Sequence, residues 1–480
     1  MSSELTVDEI RKTPESVQAL EARARRLKTQ TEDIPWTITN AITKGNWVTK
    51  ISMLIMGFGN IFYGQFVKGL LWLFAQLSLI YYTVTKGILD IQLLPSLGWK
   101  EQGEVFNEDL GIFEYTQGHN SVTILLWGII GIVVIITLIL VWKSAVESAY
   151  KAEYIHKQGF ESATFKEDLA SLFDQRIKDL LLALPLTGVL AFSILPLLFM
   201  IAMAFTSYSK EGGKLTLFDW VAFDNFKRVL NLGNSIGDTF WPVLSWTMVW
   251  AVAATVLNFI LGILLALLIN RKRTRFKSMW RVIFSLTIAV PQFVSLLIIN
   301  KMLANNGPIN LLLQELNWID SPLPFLTNTH WARFTVIIVN LWVGIPYTLL
   351  QVTGILQNFP EEYREAARID GANEAQTFRH ITMPYIISIM GPFLITQFTG
   401  NVNNFNVIYL LSGGGPIKFG STAGDTDLLV TWLYKLTVDQ QYYNIGAVIG
   451  IFTFLVLATV ALSLYRITPT ARSERGETYG

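Results

Sequence analysis

The 480-residue chain contains no cysteine. Disulfides, thiolate metal sites and cysteine nucleophiles are thereby excluded. Histidine is scarce: His119, His156, His330 and His380 are scattered, with no pair at metal-ligand spacing. His380 reads as a polar contact or helix-end cation rather than a pH switch. Charge is thin, at 15% of residues against about 25% in soluble domains. Hydrophobic residues make up 51% of the chain and mean hydropathy is +0.41, the balance of an integral membrane protein. A Gly-x4-Gly-Lys-Ser/Thr loop is also missing. Gly59 to Gly64 has the glycine spacing but continues Gln65-Phe66, without the lysine that grips phosphate. ATP hydrolysis by this chain is therefore not expected.

What is present is a series of apolar runs near the length of about twenty residues that a bilayer demands. They cover 69–89, 121–142, 180–205, 243–269, 282–303, 334–355, 385–411 and 443–465. The six from 180 onward contain no Asp or Glu, which argues against a proton-driven secondary transporter. Lys and Arg concentrate in 1–50, 143–179, 270–281, 356–384 and 466–480, most densely in Arg271-Lys272-Arg273-Thr274-Arg275-Phe276-Lys277. The positive-inside rule then places those segments and both termini in the cytoplasm, with eight spans. The polar opening, Met1 to Lys50, makes the first apolar run an uncleaved anchor. Within it, Val17 to Lys28 reads equally as a basic surface helix or a disordered tail. Residues 51–66 are apolar but short and glycine-interrupted, and read as a re-entrant or interfacial hairpin. The chain thus divides into a basic segment (1–50), an N-terminal membrane extension (51–178) ending in a strap at 143–178, a six-span core (179–467) and a tail (468–480). The expected fold is an all-α polytopic membrane protein.

Between the runs 334–355 and 385–411 lies a polar segment with a distinct spacing. Glu365-Ala366-Ala367 is followed after three residues by Gly371, after nine more by Ile381, and then by Pro384. It reads as two short helices meeting at an angle. Pro360 suits a first helical position and Glu361 and Glu362 the positive end of the dipole. Gly371 suits a left-handed helix end, and Asn373 with Gln376 suits a capping box for the second helix.

The flanking spans carry polar side chains in rows. Gln397, Asn401 and Asn404 fall at i, i+4 and i+7, as do Asn340, Gly344 and Tyr347, with Gln351 continuing the second row. Amides both donate and accept, which suits sugar hydroxyls, and Tyr347 offers a ring face. The same groups equally suit hydrogen bonds between helices. Gly413 to Pro416 reads as a turn ending a span.

The Glu-Ala-Ala spacing resembles the signature loop of permease subunits of binding-protein-dependent ABC importers, with Met383 where the family has leucine. Val339 to Tyr347, Asn403 to Ile408 and Ser412-Gly413-Gly414-Gly415-Pro416 sharpen the resemblance to the maltose and maltodextrin permeases. That resemblance covers the core and implies a six-helix type I ABC importer fold within the eight spans. It implies a non-catalytic subunit, with ATP and Mg held by two partner ATPases that dock on Glu365, Ala366, Ala367, Asp370, Gly371, Ile381 and Pro384. It implies a second permease, an extracytoplasmic sugar-binding protein, an oligosaccharide substrate and the bilayer as partners, and no nucleic acid. Positions matching the family's sugar contacts are Asn340, Val343, Gly344, Tyr347, Gln397, Gly400, Asn401 and Asn404. Gln397 and Gly400 depart from the residue types expected there. The loop 206–242 is short, as in the Gram-positive relatives.

Overall fold

The computed structural model describes residues 36–107, 111–159, 162–174, 177–213, 215–271 and 273–467. The basic run Val17 to Lys28 and the tail 468–480 lie outside them. Contacts divide the chain into two compact units, Met1–Phe199 and Met200–Gly480. The boundary falls twenty residues beyond the core's expected start at 179, inside the apolar helix Leu180–Met203, whose apolar stretch has no buried residue.

In the first unit, helix α1 (Phe66–Leu93) is followed by a hairpin of strands β1 (Gly103–Asn107) and β2 (Ile112–Thr116), then by helix α2 (Ser121–Lys157). Apolar periodicity did not foreshadow the hairpin. Asn120 caps α2 by accepting from the Val122 and Thr123 amides at 3.0 and 3.2 Å. Gly131 lets α1 approach: a Cβ there would meet the Ile91 side chain at 3.2 Å. The helix runs fifteen residues past the expected span end at 142, because neither glycine nor proline intervenes before its Lys157 terminus. Its extension carries the chain from 36 to 62. Trp142 donates to the Met53 carbonyl at 2.7 Å, and fully buried Glu153 accepts from the Asn46 amide at 3.0 Å and the Thr49 hydroxyl at 2.5 Å while pairing with Lys157. Residues 51–65 hold only the end of one short helix (Trp47–Ser52) and the whole of another (Phe58–Phe62), neither of crossing length, and α1 begins at Phe66. A capping box at Thr164 and Glu167 opens the helix Phe165–Phe173, and Lys68 pairs with Asp168 at 3.2 Å to tie it to α1.

The second unit holds helices α3 (Ser235–Asn270), α4 (Lys277–Ala289), α5 (Gln292–Met302), α6 (Thr329–Gln357), α7 (Glu361–Ile369), α8 (Met383–Val402), α9 (Phe405–Leu411) and α10 (Tyr443–Ile467). Among the described residues of the whole chain seven helices are long and apolar enough to cross a membrane. The run expected as one further crossing over 282–303 is instead the pair α4 and α5, bent by 88°, the geometry of a broken span or a re-entrant loop. The cause is local. Val290, forced out of the helical region by the following proline, is extended at φ −82°, ψ 127°, and Pro291 has no N–H to continue the ladder.

The core of this unit forms where α3 packs on α6 and α8. Trp250, Ala251 and Ala254 from α3 are buried with Val336, Val339, Phe398 and Val402. Small residues set the spacing, as in membrane bundles generally. A Cβ on Gly262 would reach Thr348 Cβ at 2.5 Å, and one on Gly344 would overlap the Asn258 amide.

Candidate functional site

Two regions carry the chemistry singled out in the sequence. The first is the polar segment between α6 and α8. Pro360 is the cap residue rather than the first helical one, with ψ at 118°, and α7 starts at Glu361. Its end is a Schellman motif: the Ala372 amide donates to the Ala367 carbonyl at 2.9 Å and the Gly371 amide to the Arg368 carbonyl at 3.1 Å. Gly371 sits at φ +78°, as that motif requires. Asn373 and Gln376 exchange side-chain to backbone bonds at 2.8 and 2.9 Å, forming the expected capping box.

The expectation of a second separate short helix is corrected. Glu374–Thr377 runs through a π-turn at Phe378–Thr382 into α8, so helix is continuous from Glu374 to Val402. The apolar sequence after Met383 contains no stop signal, and Pro384 sits in the first turn of α8, where a missing N–H costs nothing. Only α7 is therefore a free-standing lever.

That lever is anchored on one side and bare on the other. Buried Phe359 stacks edge-on with Tyr385 at 4.9 Å, and the Arg364 guanidinium lies 5.0 Å over the Phe359 ring. Ala367 is buried. Glu365, Ala366, Asp370 and Gly371 are exposed, and Ile369, an apolar side chain, is 86% exposed. Ile381 is half-buried in the π-turn and Pro384 exposed. An exposed apolar side chain between the charged Arg368 and Asp370 is available to seat against another protein.

The second region is the pair of polar rows. The helix breaks between them: Asn403 ends α8 and Asn404 begins α9, its Oδ1 accepting from the Val407 amide at 3.2 Å. Gln397, Asn401 and Asn404 thus do not share one continuous helical face. Asn401 is buried, its Nδ2 donating to Thr255 of α3 at 3.0 Å, while its carbonyl accepts from the buried Trp250 indole at 3.0 Å. Asn404 Nδ2 approaches Asn340 Oδ1 at 3.4 Å. Asn340 is buried and its Nδ2 has no partner; the same holds for Asn258 Oδ1, on the α3 face that meets Gly344. Gly344 and Asn401 thus face this chain's own α3, while Asn340 is buried beside Asn404. Tyr347, at 47% exposure, and Gly400 face outward, with Val343 and Gln397 between. Asn258 and Thr255 were not read from the sequence; two polar residues three apart in an otherwise apolar run were the available signal. Among the described residues no group of three or more His, Asp or Glu is placed to hold a metal ion.

A third feature braces the turn after α9. Asp427 is fully buried and accepts from the Gly424 amide at 2.7 Å, the Thr431 hydroxyl at 2.8 Å and the Lys435 ammonium at 2.7 Å. Gly414, at φ +81°, lies so close that any Cβ would overlap the Asp427 carboxylate. Asp425 accepts from Thr329 at 2.5 Å and Lys418 at 2.7 Å. Burial pushes its carboxyl up, but these two bonds and the Lys418 and Arg333 charges prevail and hold it below the ordinary carboxylate range.

A bundle of long apolar helices, one broken amide-bearing helix and a projecting polar lever defines a membrane permease. Comparison with known proteins agrees. Residues 258–470 match the family model described as "Binding-protein-dependent transport system inner membrane component". The chain is 34% identical to the galactooligosaccharides transport system permease protein GanP of Bacillus subtilis, over 89% of this chain and 99% of that one. It is 33% identical to the maltodextrin permease MdxF of the same organism, over 87% of this chain and 95% of that one. A crystal structure of a bacterial ABC transporter that imports the acidic polysaccharide alginate shares the fold, at TM-score 0.52 and 21% identity over 62% of this chain and 96% of that one. The chain belongs to the family of inner-membrane components of binding-protein-dependent transport systems.

Proposed function

We propose that this chain is one half of the translocation pore of an ATP-driven importer of maltodextrins or related neutral oligosaccharides. The observation that carries the reading is the bare, Schellman-capped α7 lever joined to amide-bearing α6 and α8, in a chain matching sugar permeases over nearly its whole length. Two partner ATPases hold ATP and Mg; one seats on Glu365, Ala366, Asp370 and the Ile369 tip of this chain, the other on the second permease. A second permease completes the pore, and an extracytoplasmic binding protein delivers the sugar. Both termini and α7 lie on the cytoplasmic side of a bacterial plasma membrane. ATP-driven closure of the ATPases draws the levers together and swings the pore outward, and hydrolysis resets it. The outward-facing Tyr347 and Gly400, with Val343 and Gln397 beside them, meet the sugar first. Asn340, Asn401 and Asn404 serve it once the packing against α3 loosens. Absence of charge among these residues favours a neutral polyhydroxylated solute.

The test is uptake by proteoliposomes holding the chain with the permease, ATPases and binding protein encoded beside it. Labelled maltotetraose or galactotetraose should accumulate only with ATP; accumulation without the ATPases would overturn the reading.

A further inference from the structure

A cleft of about 460 Å³ opens between α6 and α8, lined by Gln351, Asn358, Tyr385, Ile389 and Phe393, with Gly354, Ile355 and Met390. It lies at the α7 end of the two helices, on the faces that carry Tyr347 and Gly400 farther along: Tyr347, Gln351, Ile355 and Asn358 recur at helical spacing, as do Tyr385, Ile389, Phe393 and Gly400. We infer that this cleft is a second saccharide-binding site, occupied by a neutral oligosaccharide leaving the pore. The inference rests on the sugar-permease reading above and extends it from the midplane to the exit.

The lining supports that occupant on three counts. First, it contains no Asp, Glu, Lys or Arg. Two other cavities of this unit are charged: one of about 340 Å³ includes Asp238, Arg333, Lys418 and Asp425, and another includes Glu211, Asp224 and Arg228. A cleft without charge offers an ionic solute no compensation for leaving water, whereas hydroxyls need only neutral partners. Second, its polar groups have free valences. Gln351 and the Tyr385 hydroxyl make no side-chain bond among the described residues, and Asn358 spends only its Nδ2, on the Gly354 carbonyl at 2.9 Å. An amide, an amide oxygen and a phenol supply both donors and acceptors. Third, the Tyr385 and Phe393 rings supply apolar faces against which a pyranose can lie, and the volume falls within the range of about 300–1,000 Å³ usual for small-molecule sites.

The site also touches the lever. Tyr385 lines the cleft and also packs against Phe359, 4.9 Å between centroids, and Phe359 anchors the start of α7. A sugar seated on Tyr385 is thus one ring away from the ATPase-docking element.

Because the native chain has no cysteine, each variant Asn358→Cys or Gln351→Cys carries a single reporter thiol. The full transporter is placed in inside-out membrane vesicles, and the rate of labelling by a membrane-impermeant maleimide is measured with maltotetraose, with galactotetraose, and with mannitol at equal hydroxyl concentration. One of the tetrasaccharides should slow labelling at both positions, about tenfold at roughly ten times its Kd, and mannitol, lacking a ring face, should not. Adding Tyr385→Ala should abolish that protection. Unchanged labelling in vesicles whose native transporter imports the same sugar overturns the exit site and leaves the permease reading standing. Failure of the native transporter to import either sugar overturns both.

Discussion

The Lys435 ammonium stands 2.7 Å from the Asp427 carboxylate, and Asp427 has no exposed surface. A buried charge is tolerated because that ammonium, a backbone amide and a hydroxyl surround it. Lys435→Met should leave the carboxylate unpaired and cost about 3–5 kcal/mol, whereas Lys435→Met with Asp427→Asn should recover much of the loss. Thermal unfolding in detergent checks this; a single variant as stable as the native chain would show that the pair contributes nothing.

Gly371 occupies the left-handed region with open space around the position of a Cβ. Gly371→Ala therefore costs backbone strain alone, about 1–2 kcal/mol, and should weaken but not abolish transport. Gly371→Pro also removes the amide that donates to the Arg368 carbonyl and should abolish transport while the protein still inserts. ATP-dependent uptake, with membrane abundance measured alongside, separates the two; normal uptake by Gly371→Pro would refute the docking role.

Tyr347 and Asn401 should fail differently. Tyr347 is half-exposed, so Tyr347→Ala should lower sugar uptake at least tenfold with little change in thermal stability. Asn401 holds Thr255 and its own backbone accepts from Trp250; Asn401→Leu should destabilise the fold by about 1–3 kcal/mol as well as reduce uptake. Unchanged uptake by Tyr347→Ala would show that its face meets something other than sugar.

Gly344→Ala would drive a methyl group into the Asn258 amide. The expected cost is about 1–3 kcal/mol of overpacking, relieved in part by Asn258→Ala in the same chain. The double-mutant cycle measures that coupling, and additive losses would argue that the two helices adjust freely.

Asp425 has its carboxyl held below the ordinary range in the fold, despite burial, by Lys418 and Thr329. The stability it confers is present above its unfolded pKa of about 4 and is lost as pH falls through the lowered folded value. Hydrogen exchange in the 413–428 loop should be insensitive to this group between pH 5 and 8 and rise only in stronger acid. Opening of the loop near pH 6 that Asp425→Asn removes would contradict the sign.

Apolar run length located the seven helices long enough to cross, and the lever was legible because its instructions are local. Gly371 and the Asn373–Gln376 box are decided by a few consecutive residues, and the sequence named them. Where a feature depended on partners distant in the chain, the reading stopped short. The polar rows suggested a common face, yet Asn404 turns back to cap α9 and Asn401 turns to Thr255, a residue 146 positions away. Pro291 lay inside a run read as one span, and the near right angle that it imposes was not foreseen. The composition and spacing of this chain established a polytopic membrane protein with a capped polar helix between two of its apolar runs, since burial in lipid and helix capping act residue by residue. Which amides hold helices together was decided by the tertiary packing, because a side chain's hydrogen-bond partner is chosen by whatever the fold brings beside it.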